Sequence, residues 1–282
     1  MVATLRKSLK TIEDYKSANP HYTELLDIMA DILILREEYR NSMKDPIFRV
    51  EENLITKKME GGLPLIDFMG KEYDLTRPKK YFNSLISIAE KRMPEEAQNI
   101  IDIIKSQQFD WEKMIRASFD RKTEETDAQE LLAGREAEEN IDLIDLFTEE
   151  SLRPELESIA EKYGEIIEKS NWSEGYCPIC GKEPKIGEIR GEEGKRYLFC
   201  HQCGFKWYFH RIKCPFCGNE EQHSLAYFEV EGEERYRVDV CNKCRRYIKT
   251  VELPKSSEEP NLDVEDIATL HLDMIAYDEG YN

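Results

Sequence analysis

All eight cysteines of this 282-residue chain fall into four Cys-x-x-Cys pairs: Cys177/Cys180, Cys200/Cys203, Cys214/Cys217 and Cys241/Cys244. Such a pair turns the backbone so that two thiolates aim at one point, and N–H groups of the turn donate to the sulfurs and spread their charge. Glycine follows the second cysteine in three pairs (Gly181, Gly204, Gly218), where a positive φ lets the chain close around a metal; Arg245 stands in that place in the fourth. In a reducing compartment the pattern argues for metal rather than disulfides, and a thioredoxin-like redox reading lacks the βαβ context it needs.

Aligning Cys177 with Cys214 exposes a loose internal repeat. Each copy has a CPxCG knuckle, a strand, a charged turn (RGEEGK at 190–195, EGEE at 231–234), a second strand, a plain knuckle and a third strand. Nineteen residues separate Cys180 from Cys200, within the range for a zinc site, and 23 separate Cys217 from Cys241. Sequential pairing therefore assigns Cys177, Cys180, Cys200 and Cys203 to one metal and Cys214, Cys217, Cys241 and Cys244 to another. Interleaved and nested pairings remain open at this level. A closed tetrathiolate site has no open coordination position, so it holds a fold rather than activating water.

The cysteine-free first 170 residues read as successive helices. Asn19 is a candidate N-cap and Pro20 a first-turn residue, ahead of Leu25, Leu26, Ile28, Met29, Ile32, Leu33 and Leu35, a segment apolar enough to be well buried. GGLP at 61–64 marks a break. Helical spacing recurs at Phe82–Ala89, from Ile100 to Trp111, and along Leu152, Leu156, Ile159, Tyr163 and Ile166. The acidic runs EEAQ and REAEEN read as solvated helix faces. PKSSEEPN (254–261) reads as a linker before one acidic closing helix with Ile267, Leu270, Met274 and Tyr277 on a stripe that packs back on the body.

Charge narrows the function classes. The formal net charge is −18, which repels phosphate backbones and disfavours non-specific nucleic-acid binding. Residues 171–254 are nonetheless near balance, with 14 Lys+Arg against 13 Asp+Glu. Two M²⁺ tetrathiolates would add −2 each, so Lys206, Arg211, Lys213, Lys243, Arg245, Arg246 and Lys249 read as balancing the metals. Trp207, Tyr208 and Phe209 could stack on bases beside Arg211 and Lys213, but in a small β module aromatic residues read first as core. His21, His201, His210, His223 and His271 form no catalytic constellation, His201 reading as a surface residue. No free cysteine is left as a nucleophile, and dinucleotide and P-loop motifs are absent. The expectation is a protein that is not an enzyme. With no apolar run of membrane-spanning length and no leader pattern, it is expected to be cytoplasmic and not inserted in a membrane.

The runs CPICGKEP, RYLFCHQCGFKWYFHRIKCPFCG, CNKCRRYIK and VEDIATLHLDMIAYDEGY resemble the formate dehydrogenase accessory protein family, FdhE, specifically over 176–281; NPHYTELLDIM is the N-terminal reminder of it. The resemblance implies an α+β chain: a helical domain (1–172), two tandem rubredoxin-like or zinc-ribbon modules (173–212 and 213–254), then a linker and C-terminal helix (255–282). It implies two tetrathiolate-bound ions, iron or zinc, on the eight cysteines. It further implies a maturation role, binding the catalytic subunit of a molybdenum or tungsten formate dehydrogenase that needs the protein for activity. A nucleic-acid-binding zinc ribbon is the alternative, and a rubredoxin-like electron carrier a weaker one.

Overall fold

The computed structural model describes residues 3–68, 73–105, 110, 111, 113–115, 138–253 and 259–282. Helices occupy the first part: α1 (Ala3–Ala18), α2 (Thr23–Ser42), α3 (Ile55–Glu60), α4 (Thr76–Arg92), α5 (Pro94–Lys105) and α6 (Glu138–Glu168). Pro20 opens a separate 3-10 turn, Pro20–Tyr22, instead of the first turn of α2, and the Asn19 side chain makes no cap hydrogen bond. Along α2 the apolar residues wrap further round than its neighbours reach. Leu26, Ile32 and Leu33 are buried while Leu25 is 44% exposed, so the helix is less buried than its composition suggests.

α4 buries Tyr81, Phe82, Leu85, Ile86 and Ala89 at helical spacing against Ala97, Ile100 and Ile103 of α5 and Ile144 and Phe147 of α6. α3 ends at the GGLP break, with Gly62 at φ 65. On α6, Leu152, Leu156, Ile159 and Tyr163 are buried as expected, but Ile167 takes the next place and Ile166 faces out. A 3.6-residue step from Tyr163 falls between the two, and the core lies on the side of Ile167. Residues 135–137 of the acidic run and 254–258 of the linker lie outside the described residues.

The repeat folds as six strands: β1 (Ile186–Arg190), β2 (Lys195–Phe199), β3 (Lys206–Phe209), β4 (Leu225–Phe228), β5 (Tyr236–Cys241) and β6 (Tyr247–Leu253). Each copy is an antiparallel meander. The copies share one sheet, in the order β3-β2-β1-β6-β5-β4, because β1 pairs in parallel with β6, Ile186 opposite Lys249 and Arg190 opposite Leu253. No helix among the described residues is long and apolar enough to cross a membrane.

The closing segment is two helices, α7 (Leu262–Ala268) and α8 (Leu270–Asp278). Asn261 caps α7, its side chain accepting from the N–H groups of Asp263 and Val264. The break falls at Thr269, whose hydroxyl donates to Glu265 O at 2.7 Å. That break resets the helical phase, so the expected stripe fails beyond it: Met274 is 68% and Tyr277 72% exposed, while Leu272 and Ala276 are buried against Val238 and Val240 of β5. In urea unfolding, Leu272→Ala is therefore expected to cost roughly 2–5 kcal/mol, whereas Met274→Ala should change stability by no more than about 0.5 kcal/mol. The reverse order would restore the single-helix stripe.

Candidate metal centres

The four knuckles share one local design. In each, the residue after the second cysteine donates its N–H to the carbonyl of the first: Gly181 to Cys177 (2.9 Å), Gly204 to Cys200 (2.9 Å), Gly218 to Cys214 (3.0 Å) and Arg245 to Cys241 (2.8 Å). All four of these residues lie at positive φ, 81, 67, 70 and 60 respectively. Arg245 thus adopts the glycine conformation despite its Cβ.

The fold brings the cysteines together in the sequential grouping. In centre 1 the Sγ atoms of Cys177 and Cys203 are 3.4 Å apart and those of Cys180 and Cys200 3.5 Å. In centre 2, Cys214 to Cys244 is 3.6 Å and Cys217 to Cys241 3.8 Å. Within each group one ligand atom per residue lies within 4.8 Å of every other, so each could hold a metal ion. A disulfide needs about 2.05 Å, while four sulfurs at about 2.3 Å from a common ion, at the corners of a tetrahedron, are about 3.8 Å apart.

The surroundings suit a cation. The Ile179 N–H lies 3.4 Å from Cys177 Sγ, and Asn219 Nδ2 3.7 Å from Cys241 Sγ. Burial, joined by neighbouring thiols, pushes Cys180 and Cys203 well above the usual thiol range. A divalent ion would supply the opposing charge that makes them thiolates. At Cys241, where burial opposes it, the backbone N–H groups of Cys244 and Lys243 help bring the thiol down to about 7.

The knuckles and closing helices are also where this chain is similar to known proteins. A model of the FdhE central domain matches residues 176–211, and one of the FdhE C-terminal domain matches residues 212–282. Over residues 176–282 the chain matches the FdhE family. An FdhE homolog of Aquifex aeolicus is 26% identical over 278 residues, covering 97% of this chain and 91% of that protein. One from Stutzerimonas stutzeri is 36% identical over 110 residues, 38% of this chain and 35% of that protein. The crystal structure of the FdhE protein from Pseudomonas aeruginosa superposes with a TM-score of 0.68 over 99% of this chain and 92% of that one; at 21% identity this likeness speaks for the fold.

Centre 1 is fastened to α6 by side chains that the motif alone did not single out. Glu149 accepts from Lys182 Nζ (2.5 Å) and lies 3.1 Å from His201 Nε2, and its carbonyl accepts from Gln202 Nε2 (2.7 Å). Against the cost of burial, His201 and Lys182 hold the Glu149 carboxyl down to about 2. His201, expected on the surface, is thus a half-buried docking contact.

Beside it lies a buried charge network. Arg36 meets Glu150 with two bonds (2.8 and 2.7 Å), Arg153 meets Asp263 of α7 with two (2.8 and 2.5 Å), and Arg36 also reaches Asp263 at 3.3 Å. Arg153 further donates to the carbonyl of His201, inside the second knuckle. The sequence held one signal of this: Arg36 follows Ile32 by four and Leu33 by three, on the apolar stripe of α2.

The basic residues read as balancing the metals prove to be largely engaged elsewhere. Arg246 pairs with Glu183 at 2.6 Å, Lys249 with Asp266 and Asp273 at 2.7 and 2.6 Å, and Lys206 with Glu188 and Glu259. Two of these pairs tie the sheet to the acidic closing helices. Trp207 and Phe209 are buried core residues, and Tyr208 is partly exposed.

Proposed function

We propose that this chain is an accessory protein that binds the catalytic subunit of a molybdenum or tungsten formate dehydrogenase in the cytoplasm, and that the enzyme needs it to become active. The eight cysteines hold two ions, iron or zinc, in closed tetrathiolate sites whose task is to fix a surface; the chain itself does not catalyse. In this reading the helical domain (1–172), the modules at 173–212 and 213–254, and the closing segment (255–282) form the binding body together.

The match of residues 176–282 to FdhE domains supports the reading, and one observation carries it: each sulfur cluster gathers four thiols, enough to close a tetrahedral site, and the side chains round centre 1 are spent on docking the sheet to the helices. What remains open to a partner is surface. A groove of about 770 Å³ runs between the helical domain and the ribbon, lined among others by Lys7, Arg40, Glu157, Gly204, Phe205 and Asn261.

The test is capture of the formate dehydrogenase catalytic subunit, with and without its cofactor, by the fully metallated chain. Selective capture of one form is expected, with two metals per chain. Capture of neither form would sink the proposal.

A further inference from the structure

The two centres have unequal amounts of protein around them. All four cysteines of centre 1 are buried, inside the apolar cluster that holds Phe48, Leu152, Leu156 and Ile179. Leu65 and Ile66 add backbone bonds to the carbonyls of Pro178 and Ile179, 2.9 Å each, and α6 clamps the other side through Glu149. In centre 2, Cys214 and Cys241 are buried, but Cys217 is exposed and Cys244 half-buried. One edge of that centre faces solvent.

The fourth knuckle is also held from outside itself. A side chain at φ 60 is held in a strained backbone conformation, and at Arg245 it is residues 279–282 that hold it. The guanidinium donates to Glu279 O (3.1 Å) and Gly280 O (2.9 Å) and lies 4.1 Å from the Tyr281 ring centroid. Asn282 N donates to Arg245 O (2.8 Å), and the Tyr281 hydroxyl donates to Asn242 Oδ1 (2.7 Å), between the two cysteines of the knuckle. The closing residues therefore embrace one half of centre 2.

We propose that centre 2 is an exchangeable site for a divalent metal ion, opened and closed by the 279–282 segment, and that centre 1 is locked while the chain stays folded. The ion leaves by ligand substitution at the Cys217–Cys244 edge. Each metal–sulfur bond that breaks is replaced by a bond to the incoming chelator, and the freed thiolates take up protons from water, with no change of oxidation state. Local opening of this kind needs only the weakest-held segment to move, whereas release from centre 1 needs the core to open.

The inference rests on the metal assignment above, so the test begins by counting metal. The full chain is loaded with zinc, shown to hold two equivalents, and mixed with excess 4-(2-pyridylazo)resorcinol; iodoacetamide labelling is mapped during release. One equivalent is expected to leave at least about tenfold faster than the other, as local and global opening differ, with Cys217 and Cys244 labelled first. Tyr281→Ala and, separately, Arg245→Gly, which keeps the backbone conformation accessible, should hasten the fast phase and leave the slow one unchanged.

A two-metal chain that releases both ions together, labels centre 1 first, or releases no faster in either variant would overturn this proposal alone. A chain that takes up no zinc would overturn the metal assignment and this proposal with it.

Discussion

Cys200→Ser is expected to cost the chain one of two metals and, with it, the packed sheet. Cys200 is fully buried directly after β2, where it opens the second knuckle, and centre 1 lies within the cluster that joins α6 to the sheet. Structural zinc contributes roughly 10–16 kcal/mol in zinc-finger peptides, and a domain's whole stability is about 5–15 kcal/mol. Replacing a thiolate by a hydroxyl therefore removes a term comparable with the total. Elemental analysis should fall from two equivalents to one, and thermal unfolding should lose its cooperative transition or shift far downward. A variant with one metal and an unchanged melting curve would show that the core, not the ion, holds this half of the molecule.

The second large effect lies at Arg153. Removing it, as in Arg153→Met, leaves Asp263 facing Arg36 alone at 3.3 Å and takes a donor from the His201 carbonyl. Breaking one side of a buried pair costs about 3–5 kcal/mol, because the remaining charge stays buried without its partner. The double variant Arg153→Met with Asp263→Leu should recover part of the loss.

The pH dependence follows from the same groups. Burial would raise the Asp263 carboxyl, but Arg153 and Arg36 hold it below its ordinary 3.8. Glu149, ordinarily at 4.5, is held at about 2. Carboxyls whose folded values are depressed contribute fully above their ordinary values and lose that contribution as pH falls through the folded ones. Acid unfolding of the parent chain should thus set in below about pH 4.5 and begin at higher pH in Arg153→Met. Melting temperatures taken from pH 7 to pH 3 would read this directly, and curves that stayed parallel would contradict the role given to Arg153.

Much of the cysteine-bearing half was legible because its chemistry is local. A Cys-x-x-Cys turn is fixed by four consecutive residues, and the two spacings between knuckles match hairpins of ordinary length. The helices were legible as apolar periodicity. Their exposed and buried faces were less so: Ile166 gave way to Ile167, and Met274 and Tyr277 faced out once Thr269 had reset the phase.

The charge network was harder to see. Arg153 and Glu157 on one helix look like any solvated i,i+4 pair, and only Asp263, 110 residues away from Arg153, makes the site a buried one. Arg245 shows the same limit. Its conformation followed the knuckle pattern, while its purpose depends on Tyr281, which lies close to it only in the folded chain.

The parallel pairing of β1 with β6 has a consequence for how the chain is made. The middle seam of the sheet joins the first strand of the ribbon to the last, about sixty residues apart in the chain and among the slower contacts to form. During synthesis the first module can close its own meander as soon as Phe209 has emerged, but β1 then offers a bare edge until Leu253 is out of the ribosome. An unpaired edge is an invitation to the wrong partner strand. In this molecule the interval of greatest aggregation risk ends with the arrival of β6, and truncations that stop short of it should be recovered as aggregates.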